Sequence, residues 1–254
     1  MEVRIQKLLK ERTFSFSRLT LYEDCPFAYF LRYVEEIETV DSLPLAFGKA
    51  THRAIEEKMK GAGDKEALIT GWKEVDYYPF DLEEYEKVYR RADVERGEAI
   101  NSNVQTEIHF KLQLEDNQNS PYVQGFVDVH SIIYGNHSFI DWKTNRVMYD
   151  PLETMQLPLY SWAIGKIYNV TSVRGTLYFL RFYRNNQKTA LFDQKDMEKA
   201  RIWALGLANQ TLESLENFRC GQSLEEAFPA RANMRCANCP FAYICVDKYA
   251  NITN

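Results

Sequence analysis

A predicted β-hairpin over residues 125–143 constrains the fold of this chain more than any other feature. Segments rich in Val, Ile and Phe flank the Gly-Asn pair at 135–136, which is typical of a tight turn between antiparallel strands. Asp141 and Lys143 are two residues apart on the second strand, so their side chains leave the same face. Asp128 lies on the first strand, where the hairpin can bring its carboxylate close. Because apolar residues surround these charges, burying them is costly unless they pair or hold a metal ion.

The residue types at this hairpin suit two interpretations. An Asp-x-Lys pair on a strand is most often a solvated salt bridge, which contributes about 0–1 kcal/mol to stability. Two carboxylates, together with backbone or water oxygens, instead form the hard ligand set that Mg²⁺ or Mn²⁺ prefers. Beside such an ion, a lysine can position a water molecule or stabilise the charge that develops on a phosphate.

The order of these residues resembles the catalytic signature of PD-(D/E)xK nucleases. Asp128 in Gly-Phe-Val-Asp, followed by Asp141 and Lys143 in Asp-Trp-Lys-Thr, is most similar to the RecB-like exonuclease branch. The resemblance implies an α/β protein with a restriction-endonuclease-like core at about residues 104–218, in which helices flank a central mixed sheet. It also implies that Asp128 and Asp141 hold a catalytic Mg²⁺ or Mn²⁺ and that Lys143 activates or steadies the nucleophile.

Three further segments match motifs of the same family. Gly48 and His52 form a Gly-x-x-x-His pattern, which implies that His52 is a metal ligand; the alternative is a partly buried histidine of a helix. Gln156 and Tyr160 are spaced to share one helix face and resemble the substrate-positioning motif that follows Asp-x-Lys. Glu107 resembles a glutamate on the first core strand and is a further candidate site residue; the alternative is a solvent-facing strand position.

Five cysteines in a chain with no recognisable secretion signal favour metal binding over disulfides. Cys236, Cys239 and Cys245 form a Cys-x₂-Cys-x₅-Cys cluster, and Cys25 would be a fourth ligand. By spacing alone, four thiolates suit either Zn²⁺ or a [4Fe–4S] cluster, and unligated thiols are the remaining alternative. The pattern resembles iron–sulfur nucleases of the AddB-like and CRISPR-associated RecB-like groups, which implies a [4Fe–4S] staple between the two ends of the chain. Cys220 lies outside the pattern.

The composition is ordinary for a soluble globular protein, with 45% hydrophobic and 26% charged residues. We expect a single RecB-like nuclease domain over residues 1–254, with added N-terminal helices and a C-terminal cysteine cluster. The net charge of −5 argues against a protein that coats nucleic acid nonspecifically, but a nuclease needs only a local basic groove. The sequence contains no run of 18 apolar residues, so we expect no membrane helix. The first ten residues lack the apolar segment of a secretory signal. A cytoplasmic protein is therefore expected.

Periodicity and capping residues predict the elements around these motifs. We expect helices at 46–60, 65–75, 81–101, 151–168 and 193–218, and strands at 104–114, 172–183 and 189–192. Ser17 is predicted to cap a helix near the start of the chain, and Pro158 is predicted to distort the helix that contains it. The resulting order matches the αβββαβ core expected for the superfamily.

The motifs together predict a metal-dependent exonuclease that acts on DNA, either single-stranded or with free ends. The expected setting is DNA repair, recombination or CRISPR-type end processing, with a helicase or integrase as a protein partner. Two other classes remain open. One is a DNA-end-binding subunit with little or no catalysis, which would bind strands without cutting them. The other is a metal-stapled scaffold, for which DNA binding would be absent or insensitive to salt.

Overall fold

The computed structural model describes residues 1–92 and 104–250, which form two compact units. Within these residues, the first unit takes 1–40, 111–124 and the chain from 202 onward, and the second takes 41–110 and 125–201. Each unit is therefore assembled from segments that are distant in sequence. The expectation of a single domain over the whole chain stays a prediction.

The helices and strands of the described residues follow the order expected from the sequence. The helices are α1 (Glu2–Glu11), α2 (Phe16–Asp24), α3 (Pro26–Tyr33), α4 (Leu43–Met59), α5 (Asp64–Lys73), α6 (Leu82–Tyr89), α7 (Gln156–Tyr168), α8 (Gln194–Arg219), α9 (Leu224–Ala227) and α10 (Ala242–Ala250). The strands are β1 (Thr13–Ser15), β2 (Val104–Gln113), β3 (Tyr122–Ile133), β4 (Asn136–Lys143), β5 (Ser172–Phe179) and β6 (Gln187–Asp193). Among the described helices, none has the length and apolar character that crossing a bilayer requires.

A mixed sheet forms the centre of the second unit. Strands β3, β4, β5 and β6 are neighbours in that order, and β2 pairs with β3. The β3–β4 and β5–β6 pairs are antiparallel, whereas β4 and β5 are parallel. The register places Asp141 opposite Leu177 and Lys143 opposite Phe179, and both partners are fully buried. The charged residues of the motif therefore lie on an interior strand, where unpaired charge is costly.

Helices cover both faces of this sheet, because successive side chains of a strand point to opposite sides. Trp142 of β4 belongs to a buried cluster that also contains Phe47 of α4 and Tyr85 of α6. Phe139, three residues earlier on the same strand, instead faces Tyr160 of α7, with 6.5 Å between the ring centroids. This arrangement confirms the predicted α/β fold class, with helices on either side of a central mixed sheet.

In the first unit, α2 and α3 pack against the C-terminal part of α8. The Tyr22 hydroxyl lies 2.8 Å from the Ser214 hydroxyl, and the Phe30 ring lies 5.2 Å from the Phe218 ring. Strand β1 pairs in parallel with the first three residues of β3. Cys25 is extended and joins α2 to α3, so the packing of the two helices fixes its position.

The helix predicted over residues 151–168 begins later than expected. The Asp150 carboxylate caps a short 3₁₀ turn at Pro151–Glu153, and α7 starts only at Gln156. Pro158 is consequently the third residue of α7, where a backbone N–H would have no intrahelical partner. The predicted distortion at Pro158 is wrong because a proline in the first turn removes no helical hydrogen bond.

Two other helix ends also differ from the predictions. Ser15, rather than Ser17, caps α2, because its extended backbone lets the hydroxyl accept a hydrogen bond from the Arg18 amide. The helix predicted over 81–101 is seen as Leu82–Tyr89, and its predicted remainder falls largely outside the described residues.

Candidate active site

The strands β3 and β4 separate at the point where both carry an aspartate. Their paired register extends to Val129 and Ile140, and the next residues along the two strands are Asp128 and Asp141. The Asp128 carboxylate there accepts a hydrogen bond of 2.7 Å from the backbone amide of Trp142. One oxygen of Asp128 thus takes the place of a backbone carbonyl as the acceptor for the Trp142 amide. This hydrogen bond fixes the Asp128 side chain at the opening between the strands.

A closely bonded group of three side chains lies beside this opening. The Lys143 ammonium is 2.6 Å from Oδ2 of Asp141 and donates to Oε1 of Gln156 at 2.8 Å. The Gln156 amide in turn donates to Oδ1 of Asp141 at 3.0 Å. Gln156 can do this because it is the first residue of α7, whose start is set by the turn before it. The three side chains therefore hold one another in a single geometry.

The pKa values of Asp141 and Lys143 are both raised, and in each residue burial acts against the attraction of the opposite charge. Burial raises the pKa of Asp141 and the Asp128 charge adds to that shift, while the Lys143 ammonium opposes it. Burial alone would lower the pKa of Lys143, but the Asp141 carboxylate, together with Tyr149 and Asp128, outweighs burial and raises the pKa above its ordinary value. Lys143 therefore carries a positive charge across the physiological pH range.

His52 of α4 faces the same opening. Its Nδ1 lies 3.4 Å from Oδ1 of Asp128, and both residues belong to the second unit. Burial would lower the pKa of His52, but the charge and hydrogen bond of Asp128 raise it to about 9. Gly48, one turn earlier on the helix, permits a close approach to the residue that follows β4, because a Cβ there would lie 3.3 Å from the Thr144 hydroxyl. In the Gly-x-x-x-His motif, the glycine therefore lets α4 approach the end of β4, and the histidine is placed against Asp128.

Glu107 on β2 lies in the electrostatic field of the same group. Burial raises its pKa to about 7, and the Asp128 charge contributes further to the rise. Its backbone φ of 49° is left-handed, which departs from the regular alternation predicted for this strand. Glu107 is half-buried rather than solvent-facing, and it stays a candidate site residue.

Tyr160 lies one helical turn after Gln156 and is packed below the site. Its ring stands edge-on to Phe110 at 5.4 Å, and burial raises the pKa of its hydroxyl. Gly125 is required in this neighbourhood, since a Cβ there would lie 2.8 Å from the Phe110 ring and 3.1 Å from the Tyr160 hydroxyl. The first glycine of the Gly-Phe-Val-Asp motif therefore makes room for two aromatic side chains.

Tyr149 is a neighbour of the site that the sequence motifs did not indicate. Burial raises the pKa of its hydroxyl, and the Lys143 ammonium, with which it interacts, lowers it. Its ring packs edge-on to Phe179 at 5.3 Å. Tyr149 lies in the irregular segment after the motif, where no periodic pattern could have singled it out.

The acidic group has the donor chemistry of a divalent-cation site. Asp128 raises the pKa of both Asp141 and Glu107, so the carboxyl groups repel one another electrostatically. Oδ2 of Asp141 is also buried without a hydrogen bond of regular geometry. As placed, however, no three His, Cys, Asp or Glu side chains among the described residues are arranged to hold a metal ion. The ion would have to displace the pairs that Asp128 and Asp141 form with His52 and Lys143.

The four cysteines of the predicted cluster line one cavity of about 660 Å³ in the first unit. Cys25 and Cys239 are both extended and both precede a helix, as their shared Pro-Phe-Ala-Tyr sequence suggests. Burial raises the pKa of the Cys245 thiol, and the neighbouring thiols of Cys25, Cys239 and Cys236 raise it further. All four are free thiols, and so is Cys220, which does not line the cavity.

Two carboxylates and a lysine thus lie where β3 and β4 diverge, and a histidine faces one of the acids. The chain belongs to the PD-(D/E)XK nuclease superfamily, whose family model matches residues 13–246. Membership indicates a nuclease, and nucleases of this superfamily generally use Mg²⁺ or Mn²⁺.

Other comparisons add little to this assignment. A solved structure described as "Crystal structure of SSO0001" is 16% identical, with 96% of this chain and 95% of that chain covered and a TM-score of 0.45. Among curated proteins, none matches the chain.

Proposed function

We propose that this protein is a metal-dependent deoxyribonuclease that hydrolyses DNA phosphodiester bonds from strand ends. The observation that carries the proposal is the convergence of Asp128, Asp141 and Lys143 where β3 and β4 separate, with His52 facing Asp128 at 3.4 Å. The superfamily assignment supports the chemistry. The exonucleolytic mode rests on the similarity of the motifs to the RecB-like branch.

Asp128, Asp141 and His52 are the residues that would hold Mg²⁺ or Mn²⁺, with Glu107 as an additional ligand. When bound, such a cation supplies positive charge that polarises the scissile phosphate and lowers the pKa of a water molecule. The carboxylates fix where that charge lies, and the hydrogen bond from the Trp142 amide keeps Asp128 aimed at the opening.

Lys143 supplies a permanent positive charge beside the phosphate. The Asp141 carboxylate keeps it protonated, so it stabilises charge that develops on the phosphate rather than accepting a proton. Gln156 holds Lys143 and Asp141 in register through its two hydrogen bonds. Tyr160, one turn further along α7, positions the substrate strand from the same helix face.

A cleavage assay on linear and circular DNA tests the proposed reaction. Purified protein with Mn²⁺ should release short products from end-labelled linear DNA and leave circular DNA intact, and EDTA should stop the reaction. Cleavage of both forms at equal rates would exclude the exonucleolytic mode. Binding without cleavage under every metal condition would instead favour a DNA-end-binding subunit.

We further propose that Cys25, Cys236, Cys239 and Cys245 bind a [4Fe–4S] cluster, with Zn²⁺ as the alternative occupant. The shared cavity supports a common ligand, and the resemblance to AddB-like and CRISPR-associated RecB-like nucleases favours iron and sulfur. The cluster would join the N-terminal helices to the C-terminal segment, which closes a very long loop of chain and so stabilises the fold.

The same resemblance supports a setting for the reaction. We propose a cytoplasmic role in DNA repair, recombination or CRISPR-type end processing, beside a helicase or integrase that presents DNA ends. Co-purification of tagged protein from its native cells, followed by identification of the associated chains, tests this part of the proposal.

A further inference from the structure

An exposed aromatic side chain lies directly beside the candidate active site. Phe126 of β3 is 56% exposed, although Val127 and Val129 on the same strand are buried. Phe126 and Asp128 are two residues apart on a strand, so their side chains leave the same face about 7 Å apart.

A second ring extends this surface across the neighbouring strand. The ring of His109 on β2 lies 4.8 Å from the ring of Phe126, with an interplanar angle of 38°. Strand β2 pairs with β3, and Phe110 lies against Gly125 on the opposite face from Phe126. His109 and Phe126 therefore form a continuous exposed aromatic surface on rigid strands, next to the opening that holds Asp128.

The chemistry of this surface suits a nucleobase. Every base has a π-face that can stack on an aromatic side chain, and such stacking does not depend on sequence. Stacking of this kind requires a base that is free of its partner strand, as in single-stranded DNA or at a frayed end. A base pair inside a duplex presents only its edges and offers no face to a protein ring.

We propose that Phe126 and His109 form a stacking platform for an unpaired base of the DNA strand that is cleaved at Asp128 and Asp141. The platform rests on the proposed nuclease function and adds its substrate class: strands whose terminal bases are unpaired. It holds the strand while the acidic group acts on a phosphate of the same strand, without reading the sequence.

Binding measurements with single-stranded oligonucleotides test the platform. Fluorescence anisotropy in Ca²⁺, with gels to confirm intact DNA, should show Phe126→Ala weakening binding about 5- to 150-fold, since stacking contributes about 1–3 kcal/mol per base. Phe126→Trp should bind like wild type, because it keeps the aromatic face. Tyr134→Ala is the matched control: it removes a 98% exposed ring at the hairpin turn and should leave binding unchanged.

Abasic oligonucleotides separate stacking from general loss of binding. An abasic residue scanned along the strand should weaken wild-type binding at one position, and Phe126→Ala should add no further loss there. Equal binding by wild type and Phe126→Ala, or the same loss on abasic, single-stranded and blunt duplex DNA, would overturn the platform. If the wild type and Phe126→Ala cleave DNA equally well, the nuclease function is supported and the stacking platform is rejected. If the wild type binds no DNA, the nuclease proposal fails, and the platform fails with it.

Discussion

Hydrogen bonds and charge interactions that a sequence motif does not reveal fix the positions of individual side chains at this site. The sequence predicted that Asp128, Asp141 and Lys143 would lie together. Lys143 contacts Asp141, and Asp128 lies at the same opening between the strands, while their catalytic role stays a prediction. It did not reveal that the Trp142 amide fixes Asp128, because that bond depends on where two strands stop pairing. Tyr149 was missed for a similar reason: its approach to the lysine depends on the path of an irregular segment.

The hydrogen bonds of Gln156 give a prediction for a single side chain. We expect Gln156→Ala to lower kcat about 100-fold, because Asp141 and Lys143 lose the amide that holds both, and small misplacements cost about that much in rate. Steady-state kinetics on single-stranded DNA measure the effect. Gln187→Ala, which truncates an exposed amide on β6, should behave as wild type. A Gln156→Ala enzyme with unchanged kcat would show that the amide has no positioning role.

At the scale of elements, periodicity and capping residues predicted which segments are helices and strands better than where they end. Asp81 and Asp193 cap helices as expected, since each accepts hydrogen bonds from amides two and three residues later. The start of α7 was misplaced because Pro151 suits the first position of either an α-helix or a 3₁₀ turn. Local sequence alone does not distinguish these two outcomes.

The close packing of β2, β3 and α7 gives a prediction at this scale. Gly125→Ala should destabilise the protein by about 1–3 kcal/mol, because the added methyl group would overlap the Phe110 ring. Urea unfolding measures the change. Gly206→Ala serves as the control, since a Cβ at that position meets no atom within 4 Å and alanine favours the helix, so stability should not fall. Equal stability of Gly125→Ala and wild type would mean that these elements are less tightly packed than described.

At the scale of the whole molecule, distant segments supply each proposed function. Residues from α4, β2, β3, β4 and α7 converge on the acidic group, and both ends of the chain supply the cysteine cavity. The family motifs made these long-range groupings predictable, because each motif implies its partners. The division of the described chain into two compact units was not anticipated, since both units alternate along the sequence.

The cysteine cavity gives a prediction for the assembled protein. Anaerobically purified wild type should contain iron and acid-labile sulfide and absorb in the visible range, whereas Cys239→Ser should lose the metal and unfold at a lower temperature. Cys220→Ser is the matched control, because Cys220 is exposed and lies outside the cavity. Zinc without iron in the wild type would assign the alternative occupant. Full metal content in Cys239→Ser would remove that residue from the proposed ligand set.

The most direct test of the proposed site is the cleavage rate of Asp128→Asn with Mn²⁺. Asparagine can still accept the hydrogen bond from the Trp142 amide, so the fold should persist while a negative ligand is lost. Single-turnover rates on end-labelled single-stranded DNA should fall at least about 100-fold, with circular dichroism unchanged and Glu153→Gln as active as wild type. Cleavage by Asp128→Asn at the wild-type rate would contradict the assignment of this acidic group as the catalytic centre.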